Sequence, residues 1–415
     1  MMERSQFKMV HRSDRIDVFS EKEYERRIGQ LRALMREKGV EVLVFLETSE
    51  ETYAQWLLGV RFLEYMIVPQ TGDITGVLWN EIREETCTVM RDTDYERYVI
   101  QKPKDPVCGG IRFVNRGSDA EIVKLIAERK PQRVGFVASG RMTAAFYDAF
   151  SDKLPGVETT EMTVDVALLR AIKSEEELNA IQITRDAQVS VFRMLPDMIR
   201  EGRTAEDITH EMRHMLLKEG ASGVMSCQLV NHGPSDDTLS ESYGVRNRKI
   251  RKGDRMFAIM EANAMGQQHV AFGRQIMFGE PTDFMLKANA DEEKALKYAS
   301  GLLKPDGKIT LARIAVKTRK YINGLGYELQ EQVGWNWMHG LGSFFYEQYS
   351  LEDYTEDIPI REGIILHCHP KMYSYYQDEM SRWIRREVFL LNTFYITKDG
   401  PQDLIRVPYE PVILN

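Results

Sequence analysis

The sequence predicts an α/β domain over residues 1–165 followed by a larger α+β domain over residues 166–415. Three observations lead there. The chain has 415 residues, more than one hydrophobic core usually supports, so two domains are expected. Strand-length apolar runs alternate with amphipathic stretches through the first ~160 residues, the pattern of an α/β layer. Beyond that point helices group together and the strand-like runs lengthen, as in an α+β arrangement.

The elements follow in order. Ser20-Glu21-Lys22-Glu23 reads as a capping box, in which serine and glutamate satisfy each other's backbone N–H groups. It opens a helix carrying Leu31, Leu34 and Met35 that stops at Gly39. Val42–Leu46 is an unbroken apolar run and reads as a buried strand, with further strands at Met66–Val68, Ile74–Trp79 and Val134–Val137. A second box, Ser118-Asp119-Ala120-Glu121, starts a helix between them. In the second domain Ser174 and Glu177 box a long helix, and Pro196 and Gly202 punctuate its end. Thr204 and Asp207 start the next helix, which ends at Gly220, and two more are expected at Asp291–Leu303 and Leu311–Leu325. Strand-like runs lie at Met256–Ala262, Val270–Phe278, Gly363–His369 and Phe389–Thr397.

Composition narrows the function classes. Apolar residues make up 43% and charged residues 28%, which is globular rather than disordered. A net charge of −8 without a Lys/Arg block argues against nucleic acid as a partner. No apolar run approaches the roughly 20 residues of a membrane helix, and the N-terminus lacks the apolar core of a secretion signal. Cys87, Cys108, Cys227 and Cys368 are scattered, with no disulfide framework. A soluble cytoplasmic protein is expected.

One motif is set aside. His210-Glu211-Met212-Arg213-His214 spells H-E-x-x-H, which in zinc proteases puts two ligands on one helical face. At ~100° per residue, Ile208, Met212, Met215 and Leu216 cluster on one side and both histidines fall opposite them. The pair is expected to face solvent.

The segments LLRAIKSEEELNAIQ, IREGRTAEDI, IRKGDRMFAI, GRQIMFGEP, HGLG, IREGIILHCHPKMY and YITKDG occur in an order that resembles the pita-bread superfamily. That superfamily includes creatinase, prolidase, aminopeptidase P, methionine aminopeptidase and a dimethylsulfoniopropionate lyase. The resemblance implies a creatinase-like α/β N-terminal domain and a pita-bread catalytic domain. It also implies a homodimer in which the partner's N-terminal domain helps close each site. Metal-dependent members hold two ions with Asp, Asp, His, Glu and Glu. Tracked through this sequence, those positions become Met260, Ala271, His339, His369 and Leu391, with Glu261 one residue from the first. Methionine, alanine and leucine cannot hold cations. The expected enzyme therefore resembles creatinase in working without metal or other cofactor.

The substitutions are not all apolar. His367 and His369 are two apart on a predicted strand and share a face, as do His269 and Ala271. His339 completes the group, and Tyr346 stands where the peptidases carry a further histidine. His232 lies in an expected loop, Cys227–Pro234, able to fold over the site. Ser242, twelve residues before Asp254, occupies the place of the superfamily's proton-shuttling histidine. Creatinase binds its guanidinium substrate with glutamates at positions here filled by Gly273 and His369. An anionic or zwitterionic small molecule near Arg274 is expected instead.

The sequence thus points to a hydrolase or lyase acting by imidazole acid–base chemistry on a small polar metabolite. The expected catalytic residues are His339, His369 and His232; the expected substrate-binding residues are His269, Glu261, Arg274, Tyr346 and His367. Three alternatives stay open. The histidines could ligate one metal ion in a lyase or hydrolase, the fold could serve a non-catalytic binding protein, or histidines and Arg274 could be satisfied within the core.

Overall fold

A computed structural model of the chain describes residues 19–46, 53–58, 63–78, 111–115, 117–221, 223–224, 226–233, 248–263, 268–306, 308–329, 338–341, 359–377, 380–381 and 383–415. The chain divides into two units, Met1–Arg170 and Ala171–Asn415. No helix among the described residues is long and apolar enough to cross a membrane.

In the first unit β1 (Val42–Leu46) is buried at every residue, as a strand without polar alternation must be. Its side chains alternate between two apolar layers. Leu43 and Phe45 pack with Leu57 and Met66, while Val42, Val44 and Leu46 pack with Ile122 and Phe146. Around it stand β2 (Leu63–Pro69), β3 (Ile74–Leu78), β4 (Ile111–Asn115), β5 (Arg133–Val137) and β6 (Glu158–Glu161), in the order β4-β3-β2-β1-β5-β6. β1 runs antiparallel to β2 and parallel to β5.

The caps mostly form as the sequence indicates. Glu121 accepts the Ser118 N–H at 2.7 Å, and Glu177 accepts that of Ser174 at 2.9 Å. The box at Ser20 is only half made. Ser20 Oγ accepts from Glu23 N–H, but the Glu23 carboxylate turns to Arg26 and Arg27, both at 2.7 Å. Two guanidinium groups outcompete one backbone N–H for the same oxygens.

The second unit carries the longer strands. β7 (Gly223–Val224), β8 (Gln228–Gly233), β9 (Arg255–Asn263) and β10 (His269–Phe278) form one sheet, closed by β18 (Val412–Leu414) beside β10. A second sheet has the order β12 (Met338–Gly340), β13 (Ile365–Cys368), β16 (Asn392–Thr397) and β17 (Gly400–Asp403). A third joins β11 (Glu328–Leu329), β14 (Met372–Gln377) and β15 (Trp383–Val388). The first two sheets meet where Gly273 and Leu391 bridge, Gly273 N–H donating to Leu391 O at 3.1 Å. Gly273 must lack a side chain there, because a Cβ would overlap Leu391 and Phe257.

Helices Glu175–Met198 and Ala205–Lys218 lie where capping signals place them. His210 and His214 are exposed, while Ile208, Met212 and Leu216 are buried. The H-E-x-x-H string therefore faces solvent. One helix differs: it spans Asp283–Gly301, starting eight residues before the expected Asp291. Thr282 caps it by accepting the Met285 N–H at 3.2 Å, and Met285 and Ala288 extend its buried stripe.

Candidate functional site

β12 and β13 pair so that His339 stands directly opposite His367. Facing residues of antiparallel strands bring their side chains together, and the two rings lie 5.1 Å apart between centroids. His369, two residues beyond His367, projects to the same side, its ring 4.8 Å from His367 and 5.5 Å from His339. One nitrogen from each ring falls within 4.8 Å of the others. His339 and His367 are buried and His369 half-buried.

The tautomers follow from the anchors. His339 Nδ1 lies 3.1 Å from Gly340 O, and a carbonyl only accepts, so the proton sits on Nδ1 and the lone pair on Nε2. His367 pairs across β13 and β16 with Thr393. The Thr393 hydroxyl donates its proton to Ala271 O at 2.6 Å. It can therefore only accept from His367 Nδ1, 3.4 Å away, which again places the lone pair on Nε2. Burial, then the neighbouring His369 and His339, hold the His367 pKa well below its usual range, against a backbone hydrogen bond to Asn392, so its ring is neutral at physiological pH.

An apolar wall backs the cluster. Phe389 meets His369 edge-on at 5.9 Å and packs on Phe257 at 4.9 Å. The ammonium of Lys371, itself buried, lies 4.9 Å from the centre of the Phe389 ring.

His232 is on strand β8 rather than in a loop, because Gln228–Asn231 pair along β9. The register slips between Asn231 and Gly233, so His232 occupies a bulge, the device that re-aims one side chain of a strand. Burial foremost, then the positive charges of Arg255 and Lys371, keep its imidazole neutral. Lys371 thus links His232 electrostatically to the segment carrying His369. Glu261, opposite Ala271 on β9 and β10, has its carboxyl pushed up to about 8 by burial, against a hydrogen bond from Ser226. His269 Nε2 lies 3.0 Å from the Asn263 amide nitrogen, and His269 is not one of the three clustered rings. Tyr346 and Ser242 lie outside the described residues.

Arg274 requires a correction. Expected beside a substrate, its guanidinium is buried and fully committed to the protein. Nε donates to Pro408 O at 2.8 Å, Nη1 to Gly273 O at 2.9 Å and Leu391 O at 2.6 Å, and Nη2 to Asn392 Oδ1 and Val407 O at 2.9 Å each. Five donors meet five acceptors, which leaves none for a ligand. Arg274 is a structural residue. Conversely, Thr393, Lys371 and Phe389 were not singled out in the sequence. Lys371 had a readable signal, since it continues the two-residue period of His367 and His369.

A two-metal centre does not fit. Met260 and Ala271 are fully buried within the apolar core, and Leu391 packs with Val230, Phe257 and Ile259. No oxygen ligand stands at any of the three positions, so no step is routed through paired ions.

The profile of metallopeptidase family M24 matches residues 179–398, and that of the creatinase/prolidase N-terminal domain matches residues 27–172. The probable dipeptidase PepE of Mycobacterium tuberculosis is 22% identical over 246 residues, 59% of this chain and 61% of that protein. The aligned region therefore spans less than two thirds of this curated relative. Dipeptidase PepE from Mycobacterium ulcerans superposes with a TM-score of 0.71 at 19% identity, over 97% of this chain and 100% of the other. The N-terminal domain of FACT complex subunit SPT16 from Cicer arietinum superposes with a TM-score of 0.70 at 14% identity, also over 97% and 100%. At these identities the likeness is one of fold, which a dipeptidase and a FACT subunit share.

Proposed function

The chain belongs to metallopeptidase family M24, and from that premise we propose that it is a hydrolase working without the family's two-metal centre. Its substrate would be a small anionic or zwitterionic metabolite and the bond cleaved C–N. One observation carries this reading. Three imidazoles converge within 4.8 Å, while apolar side chains fill the positions where a dinuclear centre would need carboxylates.

Hydrolysis of an amide-like bond needs a base to take a proton from water and an acid to protonate the departing nitrogen. A neutral imidazole with its lone pair on Nε2 meets the first need, and the protonated ring then meets the second. His339 and His369 are the proposed proton-carrying pair, His369 being the more accessible. His367, held by Thr393, orients the cluster, and His232 is the second proton carrier. Lys371 and Arg255, the charges felt by His232, favour an anionic group on the substrate.

The test is a product screen of dipeptides, N-acyl amino acids and amidino acids in the presence of a strong chelator. Turnover of an anionic or zwitterionic member that persists in chelator, and falls at least about 100-fold in His369→Ala, supports the proposal. Turnover abolished by chelator and restored by manganese or cobalt overturns it.

A further inference from the structure

The same three rings carry a second implication: its binding part rests on the cluster's geometry and needs no turnover to test, and its inhibitory part rests on the proposed function. We infer that His339, His367 and His369 form a binding site for one divalent transition-metal ion of the Zn²⁺ or Co²⁺ type, and that occupancy silences the proposed proton chemistry.

The argument starts from donor spacing. A tetrahedral zinc site holds imidazole nitrogens at about 2.0–2.1 Å from the metal, hence roughly 3.3 Å from each other. One nitrogen of each ring already lies within 4.8 Å of the others, so closing to roughly 3.3 Å is a small further approach. The second observation is the anchoring behind the rings. Metal-ligating histidines typically donate their other N–H to a carbonyl or hydroxyl, which fixes ring and tautomer. His339 Nδ1 is so held by Gly340 O at 3.1 Å, and His367 Nδ1 by Thr393 Oγ1 at 3.4 Å. Both leave the Nε2 lone pair as the donor. Three imidazoles without a carboxylate select borderline ions and reject Mg²⁺ and Ca²⁺, which need oxygen.

This site differs from the two-ion centre of the family's name: it takes one ion, uses nitrogen alone and includes His367, which matches none of the five tracked ligand positions. Its functional consequence follows from electron bookkeeping. Each lone pair given to the ion is one that cannot accept a proton, so a bound Zn²⁺ inhibits acid–base catalysis at the same rings.

The full chain, stripped with chelator and exchanged into non-coordinating buffer at pH 7.5, is titrated with Zn²⁺ by calorimetry and with Co²⁺ by visible absorption. One ion per chain with micromolar or tighter affinity is expected, with a Co²⁺ spectrum of low coordination number and no uptake of Mg²⁺. His339→Ala and His367→Ala should each weaken binding at least 100-fold, and His210→Ala with His214→Ala should change nothing. Should the alanine variants misfold, Thr393→Val keeps the ligands and should weaken binding about 10-fold through the lost anchor. Absence of stoichiometric binding, two ions per chain, or affinity unchanged in the ligand variants overturns the inference. Zn²⁺ that binds as described should lower turnover; if it raises turnover, the inhibitory role and the metal-free reading above are both overturned.

Discussion

Replacing Arg274 with lysine separates a structural arginine from a substrate-binding one. The guanidinium makes five hydrogen bonds, to Pro408 O, Gly273 O, Leu391 O, Asn392 Oδ1 and Val407 O. An ammonium offers three donors from a single point. At least two of the five buried bonds are therefore lost. Each buried bond lost from the charged group costs about 1–3 kcal/mol, so Arg274→Lys should destabilise by about 2–6 kcal/mol. For a unit of this size about 1 kcal/mol moves the melting temperature by roughly 2–4 °C, which sets a lower bound of about 4 °C. Burial lowers the arginine pKa from 12.5 only to about 10, so it remains charged at pH 7, and Arg274→Ala would remove all five bonds, leaving Gly273 O and Leu391 O only their mutual backbone bonds. The assay is a thermal melt followed by circular dichroism, paired with KM for whichever substrate the screen identifies. A melting temperature within 2 °C of wild type, accompanied by a raised KM, would refute the structural assignment and return Arg274 to the substrate.

Three further outcomes are expected. The Glu261 carboxyl, raised from 4.5 to about 8 in the folded chain, contributes stability fully present below about pH 4.5 and lost as pH rises through about 8; Glu261→Gln should gain melting temperature over wild type between pH 5 and pH 9, and a pH-independent difference would count against a buried neutral acid. His232 and His367 have depressed pKa values, so their contribution is present above the ordinary value near 6.5 and is lost as pH falls below it. Melting temperature should drop from pH 7.5 to pH 5, and less steeply in His232→Asn; identical slopes would show that this imidazole does not couple to folding. Gly273→Ala places a methyl against buried Leu391 and Phe257 and should cost about 1–3 kcal/mol by overpacking, so an unchanged urea midpoint would mean the bridge between the sheets is looser than the geometry indicates.

Much of the fold was legible because its signals are local. Val42–Leu46 needed no partner to be read as a buried strand, and Ser118, Ser174 and Thr204 announce helices through residues three positions away. The strand expected over Phe389–Thr397 begins only at Asn392, because Leu391 is drawn into the bridge with Gly273. Strands of two or three residues, such as β11 and β12, carry too little periodicity to register. The Ser20 box failed because Arg26 and Arg27 compete for Glu23, a contest the four-residue motif does not contain.

At the site the same distinction decides what could be read. His367 and His369 share a face by strand period, and the resemblance supplies His339, so the cluster is legible in the sequence. The roles of Arg274 and Thr393 were not, because their partners lie far along the chain. Arg274 reaches Pro408, 134 residues away, and Thr393 reaches Ala271, 122 residues away. A lone arginine in an apolar strand reads as functional because burying an unpaired charge is costly. Here five acceptors from three separate segments offset that cost. The arginine still bears on the site, through the scaffold. It ties β10 to Leu391 and Asn392, the next residue is Thr393, and Thr393 sets the tautomer of His367. A change at Arg274 should therefore reach the imidazoles only together with the loss of several buried bonds, whereas Thr393→Val should reach them at the smaller cost of its bonds to Ala271.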